Sequence, residues 1–358
     1  MTQRERQLLR WIEENPLISQ QELADRAGIT RSSVAVHISN LMKKGHIAGK
    51  GYIVTSAPYA VVIGGVNMDI GGTSNQALRG KDSNPGKVRM SLGGVGRNIA
   101  HNMSLMGVEV RLLTAYGDDL NGERVAASCS ELGIDMSNAL RVPGANTSTY
   151  LYLTDPEGEM ALAVSDMAVC EKITPAYLAA NLGVLQNAQV VVADCNIPEE
   201  SLKYLAENVT VPLFVDPVST TKAEKLRSIL DKIHTLKPNK LEAELLSGVK
   251  IESREDLVKA ADKLSELGVH RMFISLGADG VFAAMGQEKL WLPNIPGNIV
   301  NTTGCGDAFM AALVWAYLEG SDLETTAKAG LAAGSIAMES GETINGEMSA
   351  EALKARMG

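Results

Sequence analysis

After residue 58, stretches that read as buried strands alternate with stretches that read as helices, nearly to the end of this 358-residue chain. The run YAVVIGG (59–65) is apolar until a glycine pair stops it. QVVVA (189–193), VPLFV (211–215) and the runs at 109–115 and 271–275 have the same character, and helix candidates lie near 97–106, 121–132, 198–207, 221–232 and 253–267. Strands buried on both faces read as continuous apolar runs, and strands joined through helices run parallel. The pattern predicts an α/β domain built on a doubly wound, mostly parallel sheet. Two segments interrupt it: GKVRMSL (86–92) reads as a short strand, and 147–166 as a hairpin around Asp155-Pro156-Glu157-Gly158. They predict a small β lid drawn from about 71–92 and 146–167.

The first 57 residues follow another plan, with Ala57-Pro58 as the boundary to a domain over 58–358. Residues 3–14 predict a helix with Leu8, Leu9 and Ile12 on one face, stopped by Pro16. Ser19 and Glu22 form a capping box that opens a second helix through Ala27. After the turn AGIT, a third helix over 30–44 turns Val34, Ile38 and Leu41 inward and leaves Ser32, Ser33, Val36 and His37 outside. HIAGKGYIVT (46–55) reads as two short strands around Gly49-Lys50-Gly51. This stretch resembles the winged helix-turn-helix family along its whole length. The resemblance implies that the third helix enters the major groove of duplex DNA, with Arg31, Ser32, Ser33 and His37 toward it and Lys50 of the wing on phosphate. A dimerisation or docking module is the other reading of the same residues.

Charge divides at the same place. Residues 1–58 carry net +3 and the remainder net −12, so a nucleic-acid partner belongs to the head alone. A solvated helical face would fit that charge equally well. The four cysteines (129, 170, 195, 305) show no CxxC pair or other metal spacing, a pattern that suits a reducing cytosol and gives no disulfide framework. The charged start MTQRERQLLRWIEEN does not read as a signal peptide, and no apolar run is long enough to span a membrane. The expectation is a cytoplasmic protein with no membrane partner.

The stretch NTTGCGDAF (301–309) carries the strongest chemical signal. Gly304-Cys305-Gly306 form the entry to a long apolar helix, where unpaired amides and the helix dipole favour an anion. A carboxylate at Asp307 would repel a phosphate held there, unless it accepts the proton of a nucleophile attacking that phosphate. The other reading is an acid that stabilises a helix start. A second glycine entry, GGVGRNIAHN (93–102), includes Gly93, Gly94 and Asn98. GGVNMDI (64–70) puts Asn67 and Asp69 past the carboxyl end of the first strand, where open α/β sheets bind ligands. Asp69 suits a vicinal diol. LKPNKLEAE contains the pair Asn239 and Glu242, and SLGADGV (275–281) is a third glycine turn.

Together these pieces resemble the ribokinase-like, or PfkB, family of carbohydrate and nucleoside kinases over about 59–350. The resemblance implies ATP and Mg²⁺ as cofactors and Asp307 as catalytic base. It makes the amides of Gly304, Cys305 and Gly306 an anion hole, and assigns Asn239 and Glu242 to Mg²⁺ (through water) and phosphate. Ser275, Gly277 and Gly280 would lie along ATP. Asn301 stands where the motif begins with Asp, which weakens the expectation of a K⁺ site, and Cys305 replaces Ala. Within the family, DSNPGKVRMSLGGVGRNIAHN, PGANTSTYLYL, VVADCNIPEESL, FVDPVS and IHTLKPNKLEAELLSG are similar to bacterial pseudouridine kinases. That similarity implies a nucleoside substrate, its ribose held by Asp69, Gly94 and Asn98 and its base met by Ser165, Asp166 and Asn196. Another nucleoside (inosine, uridine), a sugar such as ribose, or a ligand-sensing transcription regulator are the alternatives. A homodimer is expected, since lids in this family often pair and helix-turn-helix modules commonly work as two-fold pairs.

Overall fold

The computed structural model describes residues 1–49 and 58–358 and divides the chain into two units, Met1–Tyr59 and Ala60–Gly358. In the first, three helices run over Gln3–Glu14, Gln20–Ala27 and Arg31–Lys43. Thr2 with Glu5 and Ser19 with Glu22 close reciprocal capping boxes, Thr30 caps the third helix, and Gly28 ends the second in the left-handed region. Leu8, Ile12, Leu23, Val34, Ile38 and Leu41 fill the core. Lys44 pairs with the buried Glu5 at 2.8 Å and holds that carboxyl down at about 2, which ties the third helix to the first.

Ser33 and His37 are half-buried, not outward as the sequence suggests. His37 stands three residues after Val34 and four before Leu41, so it shares part of their inward face. The Ser33 hydroxyl is turned onto that of Thr30. Lys50 and most of the expected wing lie outside the described residues.

The second unit is built on an eight-stranded sheet. Six strands are parallel, in the spatial order Arg271–Ser275, Thr235–Leu236, Leu213–Asp216, Val190–Asp194, Ala60–Ile63 and Val110–Leu113. Val281–Met285 and Glu288–Leu292 extend it as an antiparallel hairpin. The helix Cys305–Leu318 is apolar all round and buried, packed against Leu323–Ala337 and Val95–Leu105. Gly330 makes room for the ring of Phe309, since a Cβ there would collide with it.

Three local expectations change. The run 109–115 is two strands. Thr114 turns out of line to donate to Gly64 O, and Ala115–Gly117 pairs separately with Leu140–Val142. The helix expected over 221–232 is one helical turn, Thr220–Ala223, followed by 3₁₀ turns at Glu224–Leu226 and Leu230–Lys232. Tertiary bonds override helix propensity there: Lys225 donates to the carbonyls of Cys195 and Ile197, and Arg227 to Leu245 O.

Asn67–Ser74 is also a strand, although it contains two glycines that strands usually avoid. It is central to the lid, ordered Gly86–Gly93, Asn67–Ser74, Thr149–Thr154, Met160–Asp166. Gly71 is needed because the Tyr152 ring lies where its side chain would be.

Candidate active site

The polar groups collect at the carboxyl ends of the parallel strands. Asp194 and Asp216 are the last residues of theirs, Lys237 follows Thr235–Leu236, and Ser275 ends Arg271–Ser275. Asp194 is fully buried and accepts from the amides of Gly65 (2.9 Å), Gly96 (2.7 Å) and Asn196 (2.8 Å). Burial pushes its pKa up against those bonds. One carboxylate thus holds the glycine pair after the first strand onto the entry of helix Val95–Leu105. Gly64 must lack a side chain, since a Cβ would overlap that carboxylate.

Helix Cys305–Leu318 starts from Gly304, in the left-handed region at φ 85°, with no side chain capping it. A Cβ on Gly304 would also meet Thr343 O. The Cys305 amide reaches Thr302 O at 3.3 Å, and Ala308 N donates to Gly304 O at 2.9 Å. The amides of Gly304, Gly306 and Asp307 take no acceptor among the described residues. These three, with Cys305 only weakly engaged, form an unpaired donor set at the positive end of a 14-residue helix. Asn301 closes the preceding loop by accepting from Thr303 N at 3.0 Å.

Asp307 does not turn back on these amides. Asn98, from the other glycine entry, donates to its carboxylate at 2.8 Å. Burial, with the nearby carboxylate of Asp216, pushes the Asp307 pKa up to about 7, while Asn98 and Lys237 oppose the rise. A carboxylate so poised is half ionised near neutrality, as a general base requires. Lys237 and Asp216 form a buried ion pair at 3.1 Å. Burial opposes the lysine's charge, yet Asp216, Glu242 and Asp307 hold its pKa above the usual value.

A cavity of about 480 Å³ opens beside the unpaired amides. Its lining includes Lys237, Ser275, Gly277, Gly280, Cys305 and Gly306. Asn239 and Glu242 stand outside that lining, at the start of helix Lys240–Ser247. There they form a capping box: Glu242 N donates to the Asn239 side chain at 2.9 Å, and Asn239 N to Glu242 Oε2 at 2.8 Å. Burial raises the Glu242 pKa.

A second cavity, about 640 Å³, lies under the lid between Asp69, Arg89, Ser91, Tyr150 and Tyr152 on one side and Asn301, Thr303 and Glu342 on the other. Asp69 accepts from the Asn67 side chain and lies against Gly93, where a Cβ would strike the carboxylate. Gly94 likewise packs on the Gly65 backbone. Burial raises the Asp69 pKa, opposed by the Asn67 hydrogen bond and the charge of Arg97. Tyr150 and Tyr152 stand 5.8 Å apart, tilted by 35°.

Strand register sorts the expected base contacts. Ser165 pairs with Tyr150 and shares its face, whereas Asp166 pairs with Thr149 and lies on the opposite face with Leu162 and Val164. The Asp166 carboxylate accepts from Ala168 N and shapes the turn after the strand, so Asp166 is corrected from a base contact to a turn residue. Asn196 is buried beside Gly65, its oxygen taken by Lys222.

The sequence reading missed Asp194, Asp216, Lys237, Tyr150 and Tyr152. A carboxylate ending an apolar strand, as in VVVAD and LFVD, was the available signal for the first two. Nothing local marked Lys237 or the inner face of the lid. In the head, Arg31 and Ser32 are exposed at the start of the third helix.

An open parallel sheet, an uncapped glycine entry and a carboxylate beside it define a small-molecule phosphotransferase. A model of the pfkB family carbohydrate kinases matches residues 57–350, and the chain belongs to that family. Residues 1–47 match the family described as winged helix-turn-helix DNA-binding. The chain is 43% identical to the pseudouridine kinase of Escherichia coli (strain K12) over 293 residues, covering 81% of this chain and 94% of that one. It is 40% identical over 355 residues to the uncharacterized sugar kinase YeiI of the same organism, covering 98% of both. A carbohydrate kinase structure from Agrobacterium tumefaciens superimposes with a TM-score of 0.74 at 28% identity, covering 84% of this chain and 97% of that one. Among the described residues no helix is long and apolar enough to cross a membrane.

Proposed function

We propose that this protein transfers the γ-phosphoryl group of ATP to the 5′-hydroxyl of pseudouridine, and that its head binds duplex DNA. The carrying observation is the Asp307 carboxylate, held by Asn98 at the mouth of an uncapped helix and poised near pH 7. In this reading Asp307 takes the proton of the attacking hydroxyl. The free amides of Gly304, Gly306 and Asp307, with Lys237 beside them, receive the charge of the transferred group. Asp69 grips the ribose diol. Tyr150 and Tyr152 give the base an aromatic wall, which a free sugar would not use and which supports a nucleoside.

Kinases of this family use ATP, generally with Mg²⁺. Among the described residues no group of three His, Cys, Asp or Glu side chains is placed to hold a metal ion. Glu242 Oε2 is held by the Asn239 amide while Oε1 takes no hydrogen bond among the described residues, which fits a largely hydrated ion. Bound there, Mg²⁺ would neutralise phosphate charge; the Asn239 side-chain oxygen is committed to the helix cap.

The outer face of the lid carries Val88, Met90, Leu151, Leu162 and Val164, all exposed and aligned by register. We read this face as the two-fold contact of a homodimer, which Leu162→Lys should break in sedimentation experiments.

The substrate test is ADP release with pseudouridine, uridine, inosine and ribose. Pseudouridine should give the highest kcat/KM, and 2′- or 3′-deoxy analogues should fare badly. A preference for uridine, inosine or ribose would overturn the substrate reading and leave the phosphotransfer reading standing.

A further inference from the structure

We infer that the third helix of the head reads thymine methyl groups through Val36, an inference that rests on the DNA-binding reading above. Val36 is 60% exposed near the middle of helix Arg31–Lys43, whose buried face is Val34, Ile38 and Leu41. A β-branched residue is a poor choice for an exposed helix position, where local propensity favours Ala, Lys or Glu. Its exposed helical neighbours, Ser32 and Ser39, are short and polar, so a flat surface can approach the Val36 methyls closely.

Charge identifies the surface that approaches. No Asp or Glu occurs from residue 26 to residue 68, while Arg31 begins the helix and Lys43 ends it, Lys44 being paired with Glu5. A helix with cations at both ends and no acid is complementary to a groove bordered by phosphates. In the major groove, the one apolar feature of a base-pair edge is the thymine C5-methyl, which sits beside hydrogen-bonding groups that Val36 cannot use. The hydroxyls of Ser32 and Ser33 are already turned onto Thr30, at 2.9 and 2.8 Å. They belong to the helix start, and the Val36 methyls are left as an apolar surface open to a base edge.

The test replaces thymine with deoxyuridine, which keeps the same hydrogen-bonding edge and lacks only the methyl. Full-length protein would first be used to select tight duplexes from genomic fragments, and binding then measured by fluorescence anisotropy with single thymine-to-uracil replacements. At one or two positions the replacement should weaken binding about fourfold, the value of one buried methyl. Val36→Ser, a surface change that leaves the packed face intact, should bind thymine and uracil duplexes alike while keeping its salt dependence. Equal affinity of the wild type for every uracil duplex would overturn the inference and spare the DNA-binding reading. So would a Val36→Ser variant that still discriminates. Absence of salt-sensitive binding to any duplex would overturn both.

Discussion

Two helices of the kinase domain begin close to Lys237, and each carries an acid at the third position of its first turn. In Lys240–Ser247 the acid is Glu242, which reaches back to the amide of Asn239 while Asn239 caps the turn. In Cys305–Leu318 the acid is Asp307, and Gly304 offers no side chain to close the turn. Both carboxylates raise the pKa of the same buried lysine, so they share one electrostatic neighbourhood. The cap makes the difference. With it, donors and acid satisfy each other and the helix start is closed. Without it, the amides stay free for an anion, and the acid is taken up by Asn98 from across the domain.

The largest effect should come from Asp307→Asn. Amide and carboxylate have the same shape, so the helix entry and nucleotide binding should survive while kcat falls by at least ~10²-fold, the scale of losing a general base. Near-normal turnover in a folded variant would break the comparison at its centre. The same substitution should stabilise the fold. The Asp307 pKa is raised from 3.8 to about 7, so its stabilising protonated form is lost as pH rises through 7. The gain in Tm over wild type should therefore grow between pH 4 and 8; a gain that shrinks instead would contradict the raised pKa.

Next in size is the pH dependence of the wild type. With the base free near pH 7, kcat/KM for the nucleoside should climb through that range and level above it. A profile flat from pH 5 to 9 would remove Asp307 as the base.

Asp69 supplies a carboxylate in the same site with no helix dipole. Asp69→Ala should raise KM roughly tenfold or more, as loss of a charged hydrogen bond does, with a smaller change in kcat. A pure kcat defect would exchange the roles assigned to Asp69 and Asp307.

The smallest effects belong to the capped entry. Asn239→Ala should cost ~1 kcal/mol of stability, read from denaturant midpoints. Glu242→Gln keeps an acceptor for the Asn239 amide and removes the charge. If Glu242 serves only the cap, turnover at limiting Mg²⁺ will not move; if it also meets the hydrated ion, the Mg²⁺ requirement will rise while Tm holds.

How much of this was legible depends on the distance over which each feature is set. Thr30, Ser19 with Glu22, and Gly304 before Asp307 are local, since caps and turns are decided within four residues, and such features could be read directly. So could the parallel sheet, because apolar runs such as AVVI and VVVA record burial on both faces. The helix expected at 221–232 was not legible, because Lys225 is drawn to carbonyls nearly thirty residues away. Nor was the failure of Asp166 as a base contact: one position along a strand reverses its face, and only the pairing with Thr149 sets which face that is.

Residue order alone determined that a glycine-entered helix would carry an acid in its first turn. The tertiary structure decided what that acid is for. It brings Asn98 onto Asp307 across 209 residues, seats Asp194 under both glycine turns, and buries Lys237 against Asp216. Burial is a property of the assembled domain, and it is burial that lifts Asp307 into the range where a carboxylate can exchange a proton at neutral pH.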